Sequence, residues 1–378
     1  MQKKREVGID IIKILACMFV SGLHFFVNYG FTDKQLSHPI AILQIALRWI
    51  FFTCIALFIL ATGYLQCSKK PEKKYYQTLG KHLAYFFVYA CLTAVVINGT
   101  ENLVRDSLYY FLQYPSYFWY MSFFIGFYLL IPFFNILIEH LQKEEFLRLI
   151  LILLAVTSIP EFVNWLPPLG GGERWKYFFL PNWWREFFPL TYYFIGAYFR
   201  KYRPVFPKKT AMSALLGFPL LIACADYYYT SPKTTSFIGG GYGSVLTVLI
   251  AVAIFALCYN ISIQNRMICM ALSYLSTLTL NVYLGLIISD KYTRMAVSAY
   301  ERNGIYPFRV IILEAPLNFG IALGIAVAVD LIRRLCVAAN LVSACIGSVS
   351  GGFYTRFDLA VGTGGGNCGN ERAPSAVS

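Results

Sequence analysis

The stretch Ile9-Asp10-Ile11-Ile12-Lys13-Ile14-Leu15-Ala16-Cys17-Met18-Phe19-Val20-Ser21-Gly22-Leu23-His24-Phe25-Phe26-Val27-Asn28-Tyr29 decides the fold. A hydrocarbon core about 30 Å thick needs roughly 20 mostly apolar residues as a helix, and this stretch supplies them. It follows Met1-Gln-Lys-Lys-Arg5. A secretory signal peptide also starts basic, but its apolar part is shorter and a small-residue cleavage site follows. Here Phe25, Phe26, Asn28 and Tyr29 follow instead, so we expect an uncleaved first helix.

Three ionisable residues interrupt that helix: Asp10, Lys13 and His24. At about 100° per residue, Lys13 and His24 fall about 20° apart around the axis and about 16 Å apart along it. Asp10 falls about 40° from His24, so all three share one face. Ionisable groups at membrane depth are costly and commonly mark a functional cavity. Each also has a structural reading. Asp10 and Lys13 lie near the helix start, where they can form an ion pair and the lysine can snorkel. His24 lies deeper, where it can bond a neighbouring helix or act as an acid or base near neutral pH. The other histidines lie elsewhere: His38 in a loop, His82 at the start of the third apolar segment and His140 after the fourth.

Working outward, nine more segments are long and apolar enough, giving an all-α, polytopic membrane protein of about ten transmembrane helices. The ten run about 9–29, 45–66, 82–99, 118–138, 146–160, 186–199, 210–229, 242–260, 269–289 and 308–335. The composition agrees. The 378 residues are 58% hydrophobic and 13% charged, with a mean hydropathy of +0.57. Soluble domains are about a quarter charged. The net charge of +13 does not point to nucleic acid, because the basic residues fall in short clusters between apolar runs. With the N-terminus inside, cytoplasmic segments hold 18 Lys and Arg and outside loops nine. That bias places both termini in the cytoplasm of a cell membrane.

The ten cysteines follow no metal spacing, and most lie inside apolar runs. We expect neither a zinc site nor a structural disulfide. The longest outside loop, about 161–185, carries Trp165, Trp175, Trp183 and Trp184 and reads equally as a functional loop or an interfacial aromatic belt. Residues 1–340 form one membrane domain. Residues 341–378 are rich in Gly and Ser, and we expect a disordered cytoplasmic tail there.

Several stretches resemble the acyltransferase family 3 membrane proteins. Arg5-x4-Asp10-x2-Lys13-x10-His24 is similar to the family's opening helix, with Lys13 where the family has Arg. Phe58-Ile-Leu-Ala-Thr62-Gly63-Tyr-Leu resembles a second-helix pattern, with Thr62 in place of Ser. Trp119-Tyr-Met-Ser-Phe-Phe-Ile-Gly126-Phe-Tyr128-Leu-Leu-Ile-Pro132 and Tyr193-Phe-Ile-Gly196-Ala-Tyr resemble two later segments. The order and spacing carry the likeness over most of residues 5–335. Near the ninth segment the family often has a His after Tyr-Leu. Asn281-Val-Tyr283-Leu284-Gly285 has none, so this protein either lacks that group or uses Tyr283 or Asn281 instead.

The resemblance implies transfer of an acyl group, often acetyl, from acyl-CoA to a hydroxyl of a cell-envelope polysaccharide or lipid-linked sugar. His24 would be the general base or acyl carrier, Lys13 would contact the donor's phosphates, and Asp10 would orient Lys13. No other cofactor is implied, and membrane lipid is a partner. On the residues alone, Arg48 at the start of the second segment either snorkels or lines the cavity. Glu314, one turn from Asn318 and beside Pro316, either marks a polar cavity or pairs with Arg309. A transporter or flippase for a glycolipid or polysaccharide unit is the alternative, disfavoured by the lack of an internal repeat. A non-catalytic scaffold is disfavoured by the intramembrane charges.

Overall fold

The computed structural model describes residues 6–29, 33–113, 118–165, 182–229, 241–302 and 305–357. Side chains are described as far as 336. Residues 166–181 lie outside this set, and with them most of the aromatic loop read from the sequence. So do residues 358–378 of the expected tail.

Among the described residues the protein is helical, with no strand. In chain order the helices are α1 (Val7–Tyr29), α2 (Asp33–Ser37), α3 (Ala41–Phe52), α4 (Cys54–Gln66), α5 (Lys73–Thr93), α6 (Leu103–Leu112), α7 (Trp119–His140) and α8 (Lys143–Leu153). There follow α9 (Ile159–Trp165), α10 (Phe188–Tyr202), α11 (Lys208–Tyr229), α12 (Val245–Cys258), α13 (Arg266–Thr277), α14 (Thr279–Ser298) and α15 (Phe308–Phe357). Each of the ten apolar segments becomes helix. Seven helical stretches are long and apolar enough to cross a membrane, or eight if α13 and α14 count as one bent span. The remaining two segments form shorter helices, the 15-residue α10 and the 14-residue α12.

Three boundaries differ from the sequence reading for physical reasons. The third span begins at Lys73 rather than 82, because Lys73, Lys74, Gln77, Thr78 and Lys81 are polar but helix-compatible. The fifth is not short: it runs Lys143–Val163, through a π-helical stretch at Leu154–Ser158. The ninth is not one straight helix. It bends by 62° between Thr277 and Thr279. Residues 1–326 form one compact unit, and the second unit is 327–378. The helix α15 runs on past residue 340, where composition had placed the boundary.

Rows of large apolar side chains face outward, including Leu129, Leu130, Phe133, Ile136 and Leu137 on α7. Leu216, Leu220 and Leu221 on α11 do the same. In water such rows would be an aggregation liability; in lipid they cost nothing. By contrast α1 is central, packed against α3, α4, α12, α13 and α14. Its ionisable residues therefore face protein, as membrane depth demands.

Two glycines set the closest helix contact. A Cβ at Gly63 of α4 would overlap the carbonyl oxygen of Tyr193, and one at Gly196 of α10 would overlap that of Leu60. The contact is reciprocal, so the two backbones touch where side chains are absent. Both glycines stand in the stretches that carry the family resemblance. At the bundle end where α1 begins, Glu6 accepts hydrogen bonds from Tyr64, Arg200 and Arg203. Burial would raise the Glu6 carboxyl, but the Tyr64 and Arg200 bonds and both guanidinium charges outweigh it, and the group titrates below the usual range.

Candidate active site

The polar face of α1 is the one that docks on α13, α14 and α15. Lys13 Nζ donates to the Ser276 carbonyl at 2.7 Å and to Ser276 Oγ at 3.2 Å. Cys17 Sγ donates to the Thr279 carbonyl at 3.1 Å, and Ser21 Oγ to the Ala315 carbonyl at 2.9 Å. Further along, the Asn28 amide donates to Asp290. These contacts step along α1 by three to four residues, so one stripe carries Asp10, Lys13, Cys17, Ser21, His24 and Asn28. The bend between α13 and α14 explains the bond to the Ser276 carbonyl, because the end of a helix leaves carbonyls that a neighbour can use.

Two polar places lie along this stripe. The first is a cavity of about 280 Å³ lined by residues of five helices and the bend. Lys13 opens onto it from α1, Thr62 and Gln66 from α4, Thr78 and His82 from α5, Tyr120, Phe124 and Tyr128 from α7, and Thr279 and Tyr283 from α14. The walls are largely aromatic: the Tyr120 and Tyr283 rings meet at 5.6 Å. One ammonium, one imidazole and several hydroxyls interrupt them. Asp10 is buried one turn before Lys13.

The second place is a buried polar cluster further along α1. Asp290 is almost wholly buried on α14 and accepts from Asn28, from Arg294 Nε at 3.1 Å and from Asn318 Nδ2 at 3.3 Å. Arg294 also donates to Asn28, and Ser289 to Asn318. His24 is 7% exposed here, and the Arg294 charge acts on its ring. Glu314 is 1% exposed, and neither of its carboxyl oxygens meets hydrogen-bond geometry with a described residue. The Asp290 charge acts on it, and it does not pair with Arg309.

The candidate residues thus separate. Lys13 and Tyr283 share the cavity; His24 and Glu314 belong to the buried cluster. Asn281 is buried on α14 but does not line the cavity. Arg48 belongs to neither place. Its guanidinium lies 5.1 Å from the Phe52 ring and 5.7 Å from that of Trp49, whose Nε1 donates to Asp226 at 2.9 Å. Sequence reasoning passed over Asp290 and Arg294, which lie past the end it gave the ninth span, and His82, which it put at a helix start. Their shared signal was polar spacing within helix. Asp290 and Arg294 are one turn apart, and His82 is four residues after Thr78 on the same face. Among the described residues no three His, Cys, Asp or Glu side chains are grouped to hold a metal.

The family model described as an acyltransferase domain, that of acyltransferase family 3, matches residues 6–329. The chain belongs to that family. The match spans α1, both polar places and most of the apolar part of α15. As a family 3 acyltransferase, the protein is a multi-pass membrane enzyme that transfers acyl groups. No curated protein and no solved structure matches the chain.

Proposed function

We propose that this acyltransferase takes an acyl group, most simply acetyl, from acyl-CoA and passes it to a hydroxyl of a cell-envelope glycan or lipid-linked sugar. The observation that carries the reading is the pairing of two polar places on one face of the central helix. The cavity at Lys13 and the cluster at His24 are separated by about 16 Å along α1. A donor made in the cytoplasm and an acceptor presented at the far side need groups at both depths. Lys13 attracts the donor's phosphates as a point charge. His24 takes the acceptor's hydroxyl proton as the oxygen attacks the thioester carbonyl, and the C–S bond breaks to release the thiol. Asp290, Arg294 and Asn28 hold the wall beside His24 in one arrangement. Purified protein in lipid, given radiolabelled acetyl-CoA and a host envelope extract, should label a glycan or glycolipid. A label that stays on the thiol ester would sink the proposal.

In this reading Lys13→Arg keeps activity, because the charge remains. Lys13→Ala raises the apparent KM for the donor about tenfold or more, as expected for loss of a charge-assisted bond worth about 1.5–3 kcal/mol. The acceptor's KM stays within about twofold, by the same reasoning that a point contact is local. Steady-state kinetics with each substrate varied checks it, and an unchanged donor KM removes the phosphate role.

The orientation follows from the basic-residue bias, with both termini cytoplasmic. Three membrane passes separate Lys70 from Trp184. Lys70→Cys and Trp184→Cys, each in a background without other reactive thiols, should label with an impermeant maleimide from opposite sides. Lys70→Cys should label from the cytoplasm. Labelling of both from one side overturns the arrangement.

A further inference from the structure

We infer that His82 is a donor-binding residue, which holds an amide of the pantetheine arm inside the cavity at Lys13; this rests on the acyl-CoA reading above.

The first support is position. His82 lies ten residues into α5, where it lines the same cavity as Lys13. The cavity is elongated: Tyr128 and Tyr120 both line it and are about 12 Å apart along α7. The His82 ring lies against Phe124, at 5.6 Å between centroids, and Tyr128, at 6.0 Å. Its place is therefore partway along the cavity rather than at either end.

The second support is an unspent polar atom. His82 Nδ1 is buried and has no hydrogen-bond partner among the described residues. A histidine kept for packing alone does better with both nitrogens paired or wet, because a buried polar atom left without a bond costs free energy. The nearby hydroxyls do not serve it. Tyr75 donates to the Tyr128 carbonyl at 2.6 Å, Thr78 to the Lys74 carbonyl at 3.1 Å and Thr62 to the Phe58 carbonyl at 2.8 Å. A group brought in by a ligand would complete the imidazole.

The third support is the fit of ligand chemistry. The cavity is aromatic and about 280 Å³, too small to enclose a nucleotide together with its arm. A slender chain of methylenes and secondary amides suits such walls. Each amide carries one donor and one acceptor, and a neutral imidazole can meet either. Among the described residues that line the cavity, Lys13 is the only Lys or Arg, suited to the phosphate end of such a ligand. His82 then fixes how far the arm has entered, and with it where the thioester stops.

The test compares binding of coenzyme A with binding of 3′,5′-ADP, which lacks the arm, to the full-length protein in lipid nanodiscs. His82→Phe keeps the ring volume and loses both nitrogens. It should weaken coenzyme A roughly three- to tenfold, the range of one neutral hydrogen bond, and leave 3′,5′-ADP unchanged. His82→Gln, whose amide can reach the same group, should recover most of the loss. Its thermal midpoint without ligand should match the wild type. Unchanged coenzyme A affinity in His82→Phe overturns the inference. Equal weakening of both ligands also overturns it, since it would place His82 in the scaffold or at the nucleotide. Wild-type protein that binds neither ligand removes the acyl-CoA reading itself, and the inference falls with it.

Discussion

His24→Ala should lose at least about a hundredfold in acyl transfer and still insert and accumulate at near wild-type level. A hydroxyl is a poor nucleophile at neutral pH, and a positioned base contributes about 10²–10⁴-fold. His24 is buried on the central helix, in a cluster already supplied with Asn28, Asp290, Arg294 and Asn318. Those four share hydrogen bonds with one another that do not run through the imidazole. A neutral imidazole is also cheaper to hold in a bilayer than a charge. Folding should therefore survive while the rate collapses. His24→Gln separates a base from a bonding group: it keeps a donor and an acceptor but cannot take up the proton. It should be as inactive as His24→Ala. Initial rates at saturating donor and acceptor, normalised to protein recovered as a single size-exclusion peak, decide the matter. A His24→Gln variant that transfers acyl groups at near wild-type rate would leave His24 a structural contact and remove it as the base.

The second large effect is on stability and comes from the crossing of α4 and α10. Gly63→Val and Gly196→Val should each yield little folded protein. A side chain at either position meets a main-chain carbonyl on the facing helix rather than a flexible tip. Overpacking in a core costs about 1–3 kcal/mol where side chains can give way, and more where they cannot. Here the whole helix must move, and α10 lies between α4 and α8. Even alanine places its Cβ in the overlap. We expect Gly63→Ala and Gly196→Ala to lower the unfolding midpoint in detergent by on the order of 5 °C or more. Gly126 on α7 is the control. It also stands in a stretch that resembles the family, but a Cβ there meets nothing within 4 Å. Gly126→Ala should match or exceed the wild-type midpoint, because alanine favours helix over glycine by up to about 1 kcal/mol. Equal losses at all three positions would mean that the crossing is not what fixes Gly63 and Gly196.

What the sequence made legible follows from how local each signal is. Apolar length marks helices, and all ten segments became helix. Angular spacing along one helix is also local, so Asp10, Lys13 and His24 could be placed on one face before any fold was known. The bend at Leu278 was not legible. Ser276-Thr277-Leu278-Thr279 contains neither Pro nor Gly, and the break is held by contacts from α1. Asp290 and Arg294 fall outside a span drawn from hydropathy to end at 289, because their meaning depends on Asn28 and Asn318, distant in the chain. For Arg48 the sequence leaves snorkelling and cavity lining both open, because an arginine at a span's edge suits either. Its aromatic neighbours Trp49 and Phe52 come from its own helix, but the Asp226 that closes the group comes from α11. His82 was misplaced because a span boundary was drawn where hydropathy rises, not where the helix starts.

The bend also decides which substitutions Lys13 can survive. Its anchor is the Ser276 carbonyl, shared with the Thr279 hydroxyl at 3.0 Å, and every amino acid carries such an oxygen. Drift at residue 276 can strip away the serine hydroxyl and leave the main anchor standing. The oxygen is free to serve two side chains only because the helix stops there, since in an unbroken helix it would be committed to an amide four residues on. The lysine's resting place is thus stored in chain geometry rather than in side-chain identity. Comparison of residue 276 by type would miss it, whereas an insertion or deletion of one residue between 276 and 279 would erase it.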